Sequence, residues 1–276
     1  MSTLVESAQC VPTVRITYEG DRRAADTRSV PVECPLEIVY GTIPYAVMMV
    51  TPADLEDFVR GFSLTEGVIA RASELRGITL EQHPKGLRAL VDLEPQRLSA
   101  HLARKRAMSG RTSCGVCGIE DLNALPEALA RVTGTRSIPT LALAHAVKTL
   151  ASHQPLNDLT RAVHAATWFD ADGAFVASRE DVGRHNALDK LIGALLLNET
   201  DPSAGFLVIT SRCSYEMVEK AAIFGASTLV AVSAPTSLAI ERAAALGITL
   251  YAIARADGAT QFTHLDHTDI LLEKCA

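Results

Sequence analysis

The chain has 276 residues, 48% of them hydrophobic and 21% charged, a globular composition that excludes wholesale disorder. A formal net charge of −6 excludes a general binder of nucleic acid or anionic membranes, and 5% aromatic residues leave little material for base-stacking platforms. The length fits one large domain or two modest ones.

Residues 1–10 are expected to form a flexible tail, and the opening MSTLVESAQCVPTVR lacks the basic-then-apolar pattern of a secretory signal. Short β-like runs follow: VRITYEG, VECPLEIVYG and IPYAVMMVT. Thr51-Pro52-Ala53-Asp54 reads as a helix start, with Thr51 as N-cap and Pro52 at the first position. Behind it Leu55, Phe58, Val59 and Phe62 fall on one helical face. A strand near Leu87–Leu93 and a helix from about Pro95 to Met108 complete a predicted α+β domain over 11–110.

SGRTSCGVCGIE has no periodicity and reads as a loop, taken as 111–121, ahead of a second domain over 122–276. Helices are predicted over 122–133 and 141–152, then a strand pair over 162–179 turning at Asp170-Ala171-Asp172-Gly173. Leu188, Leu191, Ile192, Leu195 and Leu196 mark an amphipathic helix. Strand GFLVIT, a helix from Tyr215, strand TLVAVS, a helix from Ser237 and strand ITLYAIA then alternate. Apolar strands separated by helices imply a sheet covered on both faces, a three-layer α/β domain. The charge-free run from Ala221 to Ile240 holds Gly225, Ser227, Pro235 and other polar residues and is too broken to span a bilayer.

Of six cysteines, Cys10, Cys34, Cys213 and Cys275 stand alone, which is no disulfide framework and points to a reducing cytoplasm. Cys114 and Cys117 form a CxxC pair with three readings. Half of a zinc site lacks its second pair, although Cys213 or one of His145, His164 and His185 could close it. A thioredoxin-like dithiol should open a helix early in a βαβ unit, which is not its place here. A carrier loop suits the flanking Gly115 and Gly118 and the nearby Arg104, Lys105, Arg106 and Arg111, since cations raise the thiolate fraction.

Ligands of open α/β sheets bind at the carboxyl ends of the strands. Three such ends are polar: Thr210–Ser214 with Ser211 and Arg212, Ser233–Ser237 with Thr236, and Ile253-Ala254-Arg255-Ala256-Asp257-Gly258. Hydroxyls and helix-start N–H groups beside Arg212 and Arg255 would suit phosphate. The charged run Arg179–Asn186 reads either as an exposed loop or as a polar head-group site, and His164 as a buried core histidine.

CGVCG, SREDVGRHNALDKLIG, TSRCSYEMVEKAA, AVSAPTSLA and LTEGVI together closely resemble the FdhD family of sulfur carriers required for formate dehydrogenase activity. The resemblance implies a cytoplasmic homodimer with a cytidine-deaminase-like larger domain. It implies that a cysteine desulfurase loads persulfide sulfur on Cys114, with Cys117 as partner. It further implies delivery to the bis-molybdopterin guanine dinucleotide form of the molybdenum cofactor before that enters the formate dehydrogenase apoenzyme. The family's cofactor-binding stretch maps to Ile253–Gly258, and GDP is the expected mimic. Zinc deaminases carry H-x-E and P-C-x-x-C. This chain has His164-Ala165-Ala166 and no Pro before Cys114, so neither deamination nor a metal site is expected. Arg161-Ala162 and Cys213 stand where relatives commonly have Gly-Gly and Ala. The alternative reading is a non-catalytic chaperone that binds the cofactor; a zinc-stabilised nucleotide-binding protein is a third.

Overall fold

The computed structural model describes residues 6–99, 131–133 and 137–264. It opens with an antiparallel ribbon of β1 (Ala8–Thr17) and β2 (Arg22–Pro31). Residues 8–10, expected in a tail, therefore begin a strand. β2 was not anticipated, because RRAADTRSVP carries no apolar alternation and most of it stays exposed.

A four-stranded sheet follows, built from β3 (Cys34–Tyr40), β4 (Ile43–Val50), β5 (Leu75–His83) and β6 (Gly86–Leu93) in the order β4-β3-β6-β5. β3 and β6 run parallel and the outer pairs antiparallel. Leu36, Ile38 and Tyr40 on β3 and Leu87, Ala89, Val91 and Leu93 on β6 are buried together, the period-2 signature of a strand with one inward face. β5 was missed, since its second half is exposed and polar.

Between β4 and β5 lies α1 (Leu55–Thr65), whose Leu55, Phe58, Val59 and Phe62 are buried as their spacing predicts. Its start differs from expectation: the helix begins at Leu55 after Asp54, and Thr51 does not cap it. Residues 95–99 are helical, and the remainder of the helix predicted to Met108 lies outside the described residues. Most of the helix predicted over 122–133 lies there too, while residues 131–133 are not helical.

The rest of the chain forms α2 (Thr140–Thr149), α3 (Pro155–Thr160), β7 (His164–Asp170), β8 (Phe175–Asp181), α4 (Arg184–Leu197), β9 (Gly205–Ile209), α5 (Tyr215–Phe224), β10 (Thr228–Ala231), α6 (Ser237–Leu246), β11 (Thr249–Arg255) and β12 (Gly258–Gln261). The β7–β8 turn sits where predicted, with the Asp170 carboxylate accepting the Asp172 and Ala174 N–H groups. The six strands order as β12-β11-β10-β9-β7-β8, with β9, β10 and β11 parallel.

Alternate residues of this sheet enter two cores. Trp168, Leu207, Leu229 and Leu250 meet α4, α5 and α6 on one face, while Phe169, Phe206, Val208 and Val230 meet α2 on the other. That is the expected three-layer arrangement. The first core continues past α4 into α1 and the four-stranded sheet, so the two predicted domains share one apolar interior. A buried ionic tie crosses the same seam: the Lys220 ammonium of α5 meets Asp189 of α4 at 2.8 Å and donates to the Thr65 hydroxyl of α1 at 2.8 Å.

Candidate functional site

Four polar segments gather at the carboxyl edge of the six-stranded sheet, following β8, β9, β10 and β11. The amino end of β7 joins them, because β7 is antiparallel to β9 and the Ala165 N–H donates to the Thr210 hydroxyl at 2.9 Å.

The segment after β8 resolves the charged run. Arg179 pairs with Asp57 of α1 at 2.8 Å, and Glu180 accepts the N–H groups of Leu156 and Asn157 at the start of α3. Asp181 is fully buried against Lys190 at 2.7 Å and also accepts the Thr51 N–H and the Asn186 amide. Lys190 donates to the Thr51 carbonyl at 2.8 Å, and the Thr51 hydroxyl accepts the Val182 N–H. Burial lowers the Lys190 pKa, and the Asp181 carboxylate opposes that fall. A helix cap was the local reading of Thr51; the tertiary structure turns its backbone N–H and carbonyl to this buried pair and its hydroxyl to Val182 instead.

Arg184 and His185 remain. Each has a buried nitrogen, Nε of Arg184 and Nε2 of His185, with no hydrogen-bond partner. His185 Nε2 stands 3.9 Å from Oε2 of Glu216 in the first turn of α5. Burial, with Arg184 and Lys220 adding to it, lowers the His185 pKa to about 4, so the ring is neutral at pH 7. Burial works against the ionised Glu216, but the polar groups at the start of α5 and the nearby Arg184 outweigh it and hold the carboxyl below its ordinary range. His164 is half-buried, and burial and Arg184 together lower its pKa too. Sequence reasoning had bracketed Arg184 and His185 but missed Glu216, since an acid in a first helical turn reads as a complement to the helix dipole.

The other predicted residues divide. Ser211 is buried and donates to the Arg212 carbonyl, while Arg212 itself is exposed and free to meet a ligand. The Thr236 hydroxyl caps α6 by accepting the Ala239 N–H. The Ser233 carbonyl accepts the Ile253 N–H. Ile253–Gly258, expected as a loop, is instead a β-hairpin: Ile253, Ala254 and Arg255 end β11, Ala256 and Asp257 turn, and Gly258 opens β12. The register slips between Ala252 and Arg255, and Ile253 sits there at φ 54 with its side chain 45% exposed. Left-handed backbone is strained for a β-branched residue. Arg255 folds back on the sheet, one terminal nitrogen donating to the Val232 and Ala254 carbonyls, while the residue as a whole stays exposed.

Cys114 and Cys117 lie outside the described residues. Cys213 is fully buried, and burial pushes its thiol up to about 12, the opposite of a reactive thiolate. Among the described residues no group of three His, Cys, Asp or Glu side chains could hold a metal ion, and no helix is long and apolar enough to cross a membrane.

The profile of the FdhD/NarQ family matches residues 31–269. "Sulfur carrier protein FdhD" of Xanthomonas euvesicatoria pv. vesicatoria is 44% identical over 269 residues, covering 98% of this chain and 95% of that protein. The protein of the same name from Bordetella petrii is 40% identical over 257 residues, 92% of each chain. A crystal structure from Desulfotalea psychrophila, described as that of a formate dehydrogenase accessory protein, superposes with a TM-score of 0.74 at 25% identity, covering 94% of this chain and 97% of that one.

Proposed function

The chain belongs to the FdhD/NarQ family, and from that premise we propose that it is a sulfur carrier, a sulfurtransferase serving formate dehydrogenase. The Cys114 thiolate attacks the outer sulfur of a persulfide on a cysteine desulfurase; the desulfurase cysteine leaves as thiolate and Cys114 carries the persulfide. The loaded chain, a cytoplasmic homodimer, binds the bis-molybdopterin guanine dinucleotide form of the molybdenum cofactor as its substrate. The Cys117 thiolate then attacks the inner sulfur of the Cys114 persulfide. The persulfide S–S bond breaks, a Cys114–Cys117 disulfide forms, and sulfide leaves for the metal. A dithiol reductant restores the pair, and the sulfurated cofactor passes to the formate dehydrogenase apoenzyme.

The observation that carries this reading is the convergence of four polar segments on one sheet edge, with buried nitrogens on Arg184 and His185 left unpartnered. Unpartnered buried donors are costly unless a ligand uses them, and a nucleotide cofactor is rich in acceptors. Arg212, exposed on the same edge, is a cation available to its phosphates. The relatives' name, sulfur carrier protein, supports the chemistry assigned to the CxxC pair.

Mass spectrometry after incubation with desulfurase and cysteine tests it. The peptide bearing Cys114 should gain one sulfur atom, and Cys114→Ala should fail to activate formate dehydrogenase. If Cys114→Ala still activates the client, the chain is a cofactor chaperone and not a sulfur carrier.

A further inference from the structure

Within the Arg179–Asn186 run, Arg179, Glu180, Asp181 and Asn186 hold the fold together, whereas Arg184 and His185 present unpartnered nitrogens. At the start of α5 the carboxylate of Glu216 stands beside them, its Oε2 3.9 Å from His185 Nε2. The cluster thus offers two acceptor oxygens beside the Arg184 guanidinium and the His185 ring, on the sheet edge to which ligands of such folds bind. We infer that Glu216, with Arg184 and His185, reads the 2-amino-4-oxopyrimidine edge that guanine and pterin have in common.

The complementarity is chemical. That edge presents, side by side, a 2-amino donor, a ring N–H donor and an oxo acceptor. A carboxylate accepts from the two donors at once, and a guanidinium or imidazole N–H donates to the oxo oxygen. The charges fit the same class: Arg184 and Glu216 offset one another while His185 is neutral. A neutral heterocycle therefore suits the cluster better than a phosphate, which would face the Glu216 carboxylate at close range. Adenine presents an unprotonated ring nitrogen to the carboxylate and an amino group to the donors, so both contacts become repulsive or empty.

This inference rests on the cofactor reading above, since the proposed substrate contains both guanine and pterin rings. It goes further by naming the residues that recognise the ring and the atoms they select. Glu216 lies outside every strand-end stretch read from sequence as a binding site, and Arg184 and His185 belong to the charged run whose head-group reading named no ring and no atoms.

Calorimetry on the full chain tests it, with two pairs of probes: GDP against IDP, which lacks the 2-amino group, and pterin against lumazine, which carries an oxo group in its place. In the pair whose ring occupies the site, the parent should prefer the amino compound about tenfold, the scale of one charge-assisted hydrogen bond. Glu216→Gln, which leaves a single acceptor oxygen, should erase that preference. His185→Asn should weaken GDP and IDP alike, because both keep the oxo group, and leave their ratio unchanged. Unfolding curves establish that both variants are folded. If GDP binds but neither pair is discriminated, or if Glu216→Gln keeps the preference, the inference is overturned and the cofactor reading stands. If none of the four probes binds the parent, both fall together.

Discussion

Gly61 of α1 and Gly193 of α4 lie against each other where the two helices cross. A Cβ on Gly61 would stand 1.8 Å from the Asp189 carbonyl oxygen, and one on Gly193 would stand 1.8 Å from that of Asp57. The contact is reciprocal, and each glycine's ideal Cβ lies within 3 Å of the other's backbone nitrogen. Bare backbone at both positions lets the N-terminal sheet, through α1, close on the helical layer of the larger sheet. It also brings Asp189 within reach of Thr65. Gly193→Ala must push the helices apart and should cost about 3 kcal/mol, seen as a lower urea midpoint with an unchanged slope. Gly61→Ala should behave alike. The double variant should cost clearly less than the sum, since either methyl already opens the seam. Additive costs would mean that the two glycines act independently.

Acid should expose His185. Its folded pKa is about 4 against an ordinary value of 6.5, so between those values the unfolded chain holds a proton that the folded chain does not. Stability is then complete above the unfolded value and falls as pH drops from 6.5 toward 4. The groups facing the ring divide: Arg184, Lys220 and His164 favour the neutral form and Glu216 opposes it. From pH 7.5 to 5 the loss attributable to this residue is about 2 kcal/mol. Denaturant unfolding of the parent and of His185→Gln at both pH values checks it. The parent should lose about 2 kcal/mol more than the variant, and equal losses would reject the assignment.

The strained Ile253 yields a prediction with two readouts. Replacing it by glycine relieves a left-handed backbone and removes a half-exposed apolar side chain at the hairpin. Ile253→Gly should raise stability by about 1 kcal/mol. It should also weaken GDP binding, if the strain is retained to hold that side chain toward the ligand. A variant that is more stable and binds GDP as well as the parent would leave the strained backbone with no role in binding.

The three thiols at issue should separate by chemistry. Cys213, buried and with its thiol raised to about 12, should resist iodoacetamide in the native protein at pH 8. Cys213→Ala should leave sulfur transfer intact and cost only about 1 kcal/mol of stability. Cys117→Ser should keep a persulfide on Cys114 longer than the parent does, yet deliver it to the cofactor more slowly. A timed persulfide assay with and without cofactor checks both halves. Equal lifetimes with equal client activation would assign Cys117 a structural role.

The chain's own letters were enough to read the alternating strands and helices of the C-terminal half, the buried face of α1 and the polar strand ends. These follow from local rules of period, turn chemistry and capping, which act over a few residues. They failed at Thr51, which reads as a helix cap until Asp181 and Lys190, distant in sequence, arrive beside it. β2 and β5 escaped because exposed strands need no apolar alternation, and Ile253–Gly258 because a bulged hairpin carries the same residues as a loop. Within the charged run, composition could not tell structural charges from available ones. That division came only when α1, α3 and α4 supplied partners to Arg179, Glu180 and Asp181 and none to the buried nitrogens of Arg184 and His185. Whether a charge is spent or free depends on which groups burial brings within hydrogen-bond distance, and that is a property of the packed fold rather than of the neighbouring residues.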